Sequence, residues 1–250
     1  MSRFILSLFL LVSLKVLSQD VSGLLRQGAQ LEAQFREDGA LSKYQEVLRV
    51  QPRNVQALCR CSDLSCRIGN RQPNKDKKID FFKSGYAYAK LAYGVDSTNS
   101  EANIVMAFSL ARMALIQSGK ERVASANAIK WFAESSVRYD QGNYKGYHIL
   151  GRWNYEVSGL SSIERTLARW FFGALLPASL DSAIHYYEKS KALKPDFLLN
   201  YYELARCYHR AGKDDKAIQQ LHQLEQLKDE MYDDREVRSD ARKLLQDLQD

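Results

Sequence analysis

With 250 residues, 45% of them hydrophobic and 26% charged, the chain has ordinary globular composition and enough apolar mass for a sizeable core. Four prolines and 13 glycines are few, and Ala, Leu, Lys, Glu, Gln and Arg dominate over alternating β-branched runs, so an all-helical chain is predicted. The formal charge of +6 drops to +4 if Arg3 and Lys15 leave with the N-terminal segment, which is too mild and too mixed to indicate nucleic acid.

The chain opens MSRFILSLFLLVSLKVLSQD. Arg3 makes a basic start, Phe4 to Leu14 an apolar stretch, and Ser18 a small-residue end before Gln19; this is the pattern of a signal peptide over 1–18, cleaved after Ser18. The apolar run is about half the roughly 20 residues a membrane-spanning helix needs. Lys15 is an awkward charge within it, so an uncleaved N-terminal anchor is the alternative. The Ser-Gln ending resembles bacterial export signals, and the expected location of residues 19–250 is the periplasm.

The next elements repeat. In ALSKYQEVLRVQP, Ala40, Tyr44, Val47 and Pro52 stand at offsets of 4, 7 and 12, and AIHYYEKSKALKP places Ala183, Tyr187, Ser190 and Pro195 identically. Weaker copies run Gly85, Ala89, Ala92, Ser97 and Ile129, Ala133, Ser136, Gln141; a fifth, Ala217, Leu221, Leu224, lacks the proline. These are the spacings of the second helix of a tetratricopeptide repeat, whose small residues let two helices approach and whose proline ends the helix. First helices agree: Tyr147, Leu150, Gly151 in one unit, Tyr201, Leu204, Ala205, Tyr208 in another, with Gly28 at the equivalent place in the first. The prediction is a tetratricopeptide-like α-solenoid of about five helix pairs, near 21–54, 55–99, 100–143, 144–197 and 198–228, closed by a capping helix over 234–248.

Two units depart from the period. The second has a polar, basic stretch, RIGNRQPNKDKKID (67–80), expected as an insertion between its helices. The fourth has an apolar insertion over 157–178, in which Ser161 and Glu164 form a capping box for a new helix. Ile163, Leu167, Trp170 and Phe171 make its apolar face, expected to be buried against the solenoid; a lid or a membrane or partner patch is the alternative. Cys59, Cys61 and Cys66 fall in one predicted helix, which discourages pairing among them; buried or partly buried free thiols are the expectation, with a bond from one of the three to Cys207 as the alternative.

The stretch from ALIQSGKERVASANAIKWFAESS through YHILGRWNYEVSGLSSIERTLARWFFG to ALKPDFLLNYYELARCYHRAGKDDKAIQQL resembles the regulator of microtubule dynamics family, over roughly Leu24 to Leu248. The resemblance implies tetratricopeptide-like repeats with a segment inserted after the Leu-Gly-x-Trp helix. Ser162 stands where the family often has an aromatic residue. The resemblance also makes a phospholipid an alternative ligand.

No Gly-rich phosphate loop, nucleophile elbow or paired-His motif is present, and His148, His185, His209 and His222 are spread over four predicted helices. The sequence therefore points away from an enzyme and implies no cofactor or metal. The repeat frame puts Arg67, Arg112, Lys145, Arg152, Arg206 and Arg210 on the first-helix face, accompanied by His148, Tyr155, Tyr202 and His209. Guanidinium groups bind carboxylates and phosphates bidentately, so such a row suits a protein or peptide partner of acidic character. The competing expectation is that these cations pair with Glu101, Glu156 or Glu203 on the same surface.

Overall fold

A computed structural model describes residues 21–117, 119–161, 166 and 177–250, and only helices occur among them. The expected signal peptide lies outside the described residues, as do Ile163, Leu167, Trp170 and Phe171 of the expected inserted helix. The chain forms two compact units, one ending at Asp96 and one starting at Ser97.

In the first unit α1 (21–33) and α2 (Glu37–Val50) make one pair, and α3 (Val55–Asn70) and α4 (Lys75–Val95) the next. The repeat positions Ala40, Tyr44 and Val47 of α2 are buried and meet Ala57, Cys61, Leu64 and Ile68 of α3, with Val21 and Leu24 of α1 beneath. Gly28 is required by this packing: a Cβ there would stand 2.7 Å from Cζ of Tyr44. Side-chain caps start both α3 and α4, Asn54 accepting from the Ala57 amide at 3.0 Å and Asn74 from that of Lys77 at 2.9 Å.

The stretch 67–80 is not an insertion between helices. Only residues 71–74 separate α3 from α4; Arg67 to Asn70 end the first and Lys75 to Asp80 begin the second. The pair is lengthened because the Asn74 cap starts α4 early and the added turn carries Phe82, fully buried, against the end of α3 at Gly69. The four cysteines are all buried thiols, three of them on α3. Burial pushes the Cys61 thiol up to about 12, which keeps it protonated and inert.

In the second unit α5 (Ser100–Ala114) pairs with α6 (Gly119–Tyr139), α7 (Tyr144–Ser158) with α8 (Leu180–Leu193), and α9 (Leu198–Arg210) with α10 (Asp214–Glu225). Helix α11 (Asp234–Asp247) packs on α9 and α10. Ala183 and Tyr187 of α8, Leu204 and Ala205 of α9, and Ala217, Leu221 and Leu224 of α10 form a continuous core, each large side chain contributing about 1.5–3 kcal/mol. The Gly28–Tyr44 fit recurs at Gly151, where a Cβ would lie 2.8 to 2.9 Å from three ring atoms of Tyr187. The tetratricopeptide-like solenoid predicted from spacing is the observed architecture, because its small and aromatic positions are those that meet across helices.

The turn before α11 is held by its acidic residues. Asp234 is buried and accepts from the amides of Glu230 and Met231 at 2.8 and 2.7 Å. Arg238 of α11 donates to the terminal carbonyl of Leu224 on α10 at 3.1 Å and to Asp229 at 2.9 Å. A cation thus closes the C-terminus of α10 and locks the last helix on.

Candidate functional site

In the first unit Arg60, Arg67 and Arg71 are consumed by structure. Arg67 pairs with Glu37 and, at 3.7 Å, with Asp63. Arg71 takes the other oxygen of Glu37, while Arg60 pairs with Glu32, which also accepts the Tyr44 hydroxyl at 2.7 Å. Three guanidinium groups face three carboxylates, and Glu37 is only 5% exposed. Arg67 is therefore a tie between α2 and α3. Sequence reasoning missed Glu37 as its partner because the two are 30 positions apart and no local pattern links them.

In the second unit the first helices α5, α7 and α9 adjoin in sequence. Arg112, in the last turn of α5, lies over the Phe108 ring at 4.9 Å from its centroid. Lys145, at the start of α7, pairs with Glu101 of α5 at 2.9 Å, and that carboxylate also accepts from Asn143 at 3.0 Å. These contacts join α5 to α7.

His148 belongs to the core and not to the exposed face. Its Nδ1 is 2.9 Å from Oδ1 of Asn200, whose Nδ2 donates to the Tyr187 carbonyl at 2.9 Å. Since that amide oxygen only accepts, Nδ1 carries the proton. The ring stands edge-on to Phe197 and Tyr187, with centroids at 4.9 and 5.5 Å. Burial lowers its pKa, against the opposing pull of the Asn200 hydrogen bond. His209 is exposed and turns the other way, its Nδ1 2.8 Å from Asp214 at the start of α10.

The remaining candidates converge. Arg152 and Tyr155 of α7 face Tyr202, Arg206 and Arg210 of α9. Arg206 and Arg210, one helical turn apart, both lie over the Tyr155 ring, at 5.0 and 3.7 Å from its centroid; Arg206 is also 5.8 Å from that of Tyr202. Arg210 donates to the Tyr155 carbonyl and, at 2.7 Å, to the Ser158 hydroxyl, closing the C-terminus of α7. Gly159 makes room for it: a Cβ there would stand 2.6 Å from a guanidinium nitrogen of Arg210. Sequence reasoning assigns neither Ser158 nor Gly159 to the site; the signal that could have found them is their position where the repeat period breaks.

One buried carboxylate serves this group. Glu203, with a side chain 4% exposed, accepts from Arg206 at 3.1 Å and lies 3.7 Å from Arg152. Burial disfavours the Arg206 charge, yet Glu203 and the neighbouring groups outweigh it and hold the guanidinium above its ordinary value. Glu203 is the partner that sequence had offered, but it is shared between two cations and leaves Arg210 to neutral oxygens. The cluster is thus preorganised, partly exposed and positive, whereas Arg60, Arg67 and Arg71 of the first unit are balanced by Glu32, Glu37 and Asp63.

Among the described residues no group of His, Cys, Asp or Glu has metal-binding geometry, and no helix is long and apolar enough to cross a membrane. The four histidines sit on α7, α8, α9 and α10.

Comparison with known proteins adds to this geometry. A family model described as regulator of microtubule dynamics protein 1-3 matches residues 24–249. Regulator of microtubule dynamics protein 3 of Rattus norvegicus is 23% identical over 171 residues, covering 68% of this chain and 36% of the rat protein. Its Bos taurus counterpart is 25% identical over 203 residues, covering 80% and 43%. The chain thus spans less than half the length of these curated relatives. Among solved structures, a thermophilic TPR protein of Thermus thermophilus superposes with a TM-score of 0.67 at 16% identity, over 90% of this chain and 99% of that one. That likeness concerns the fold.

Proposed function

Since the chain belongs to the regulator of microtubule dynamics family, whose tetratricopeptide-like fold generally serves interaction and not catalysis, we propose that it is a non-enzymatic binding module for an anionic segment of a protein partner. The reading rests on one observation: on adjacent first helices, Arg152 and Arg206 share a single buried carboxylate, Glu203, while Arg210 beside them is bonded to the neutral Tyr155 carbonyl and Ser158 hydroxyl. Stacking on Tyr155 fixes two of these guanidinium groups before any ligand arrives, which reduces the ordering cost of binding. Neighbouring first helices give an extended segment a continuous track, with Tyr202 beside the cations for apolar contact.

Arg152 is the cleanest probe, because its side chain is 46% exposed and its nearest carboxylate is 3.7 Å away. Arg152→Gln should weaken capture of a Glu-rich peptide several-fold while leaving the thermal midpoint unchanged, and binding to the native chain should weaken with added salt. Salt-insensitive binding that survives both Arg152→Gln and Arg210→Gln would remove the α7–α9 face from consideration.

A further inference from the structure

We infer that Glu203 is a built-in competitor for the acidic segment, and that the Tyr187 hydroxyl receives its carboxylate when the segment takes Arg152 and Arg206. The inference rests on the α7–α9 face being the binding site and names the device that governs it.

A buried donor lacks an acceptor. Tyr187 of α8 is fully buried, and among the described residues its hydroxyl has no hydrogen-bond partner. An unpaired buried donor keeps its full desolvation cost, which native interiors rarely leave in place. The side chain is aimed at the site. Its ring lies against Gly151, which precedes Arg152 in α7, and its carbonyl accepts from Asn200, one turn before Glu203 in α9. The charges of Glu203 and Arg152 both act on the hydroxyl. Burial and then Glu203 hold its pKa well above the ordinary tyrosine value, so it stays protonated and offers one O–H.

The first unit shows what the same tyrosine does when an acid reaches it. Tyr44 packs against Gly28 as Tyr187 packs against Gly151, and its hydroxyl donates to Glu32 at 2.7 Å. The same oxygen of Glu32 accepts from Nε of Arg60 at 3.0 Å, so tyrosine, carboxylate and guanidinium form one connected group. Glu32 stands four residues after Gly28, whereas the residue four after Gly151 is Tyr155. In the second unit the carboxylate comes from α9 instead, and the cations hold it. One oxygen of Glu203 accepts from Arg206 at 3.1 Å and the other lies 3.7 Å from Arg152. Arg206 feels Glu156 as well. All three parts of the first unit's group are therefore present, with the tyrosine left out.

A partner carboxylate that bonds Arg152 and Arg206 uses the N–H groups that Glu203 uses, and two carboxylates on one pair of guanidinium groups repel. Rotation of Glu203 toward Tyr187 removes that repulsion, keeps the buried carboxylate hydrogen-bonded and satisfies the tyrosine. No proton moves; the segment's acid replaces Glu203 at the cations. A lone anion gains little over Glu203, whereas a segment with further contacts along α7 and α9 displaces it, which makes the site selective.

Isothermal titration of a Glu-rich peptide into the full chain, with a melting curve for each variant, tests this. Tyr187→Phe should leave the thermal midpoint unchanged or higher, because the hydroxyl is unpaired before binding. It should weaken peptide binding about tenfold, the size of one hydrogen bond to a charged group. Glu203→Gln should tighten binding several-fold, since a neutral amide competes less well for guanidinium groups. In the Glu203→Gln background, Tyr187→Phe should change affinity much less, a non-additivity that a merely structural tyrosine would not produce. A markedly lower midpoint for Tyr187→Phe means the hydroxyl is already paired in the unliganded chain and overturns the inference. Unchanged affinity overturns it too, as does an equal loss with and without Glu203→Gln. Each of these outcomes leaves the acidic-segment reading standing, because the native chain still binds the peptide. Failure of the folded native chain to bind it at low salt overturns both. If Glu203→Gln does not fold, the midpoint and affinity of Tyr187→Phe decide alone.

Discussion

Replacing Arg206 with methionine should separate the structural part of the arginine cluster from its binding part. Arg206 is 33% exposed, donates to Glu203 at 3.1 Å, and covers the Tyr155 ring with its guanidinium. Methionine keeps an apolar stem over that ring but removes the cation, leaving Glu203, 4% exposed, with only Arg152 at 3.7 Å. Removing one partner of a fully buried pair costs about 3–5 kcal/mol. Here one partner is partly solvated and Arg152 remains, so screening lowers the expected cost to about 2 kcal/mol. For a chain of this size that is a fall of about 4–8 °C in the thermal midpoint followed by far-ultraviolet circular dichroism. Adding Glu203→Gln to Arg206→Met should recover most of the loss, because the neutral amide no longer needs a cation. An unchanged midpoint for Arg206→Met, or a double variant no more stable than the single one, would refute the buried-carboxylate argument.

Gly151→Ala should destabilise by about 1–3 kcal/mol, seen as a lower denaturant midpoint, because its Cβ would overlap the ring of fully buried Tyr187; wild-type stability would mean the α7–α8 contact yields easily. His148, buried with its pKa lowered from 6.5, is neutral in the fold and takes up a proton on unfolding, so it contributes stability that is present above pH 6.5 and lost as pH falls through its folded pKa. Chemical denaturation across that window should show stability falling with acid, and the slope should flatten in His148→Gln. At the N-terminus, we propose cleavage after Ser18; intact-mass analysis of secreted material should find Gln19 first, and a product retaining Met1 would favour the anchor.

The helices and their pairing were legible in the sequence because each repeat position is a local event. Ala40, Tyr44 and Val47, or Ala183, Tyr187 and Ser190, lie within two turns of one helix, and the 3.6-residue period puts them on the face that must be buried. The small residues at Gly28 and Gly151 could be read for the same reason: a tyrosine on the second helix needs a missing side chain on the first. Which cations remain available for a ligand was not local. Arg67 and Arg206 occupy similar places in the repeat frame, yet one is tied to Glu37 and balanced by Asp63, while the other shares Glu203 with Arg152, 54 positions upstream. His148 matched the exposed pattern and turned inward because Asn200, on another helix, offers the acceptor that satisfies its buried N–H. Polar composition also misread 67–80 as an insertion between two helices, since helix formation there is decided by the Asn74 cap and by Phe82 packing on α3, not by polarity. Periodicity therefore determined the scaffold. The distribution of charge over that scaffold was decided only by tertiary contacts, because an ion pair depends on distance in space and carries no period along the chain.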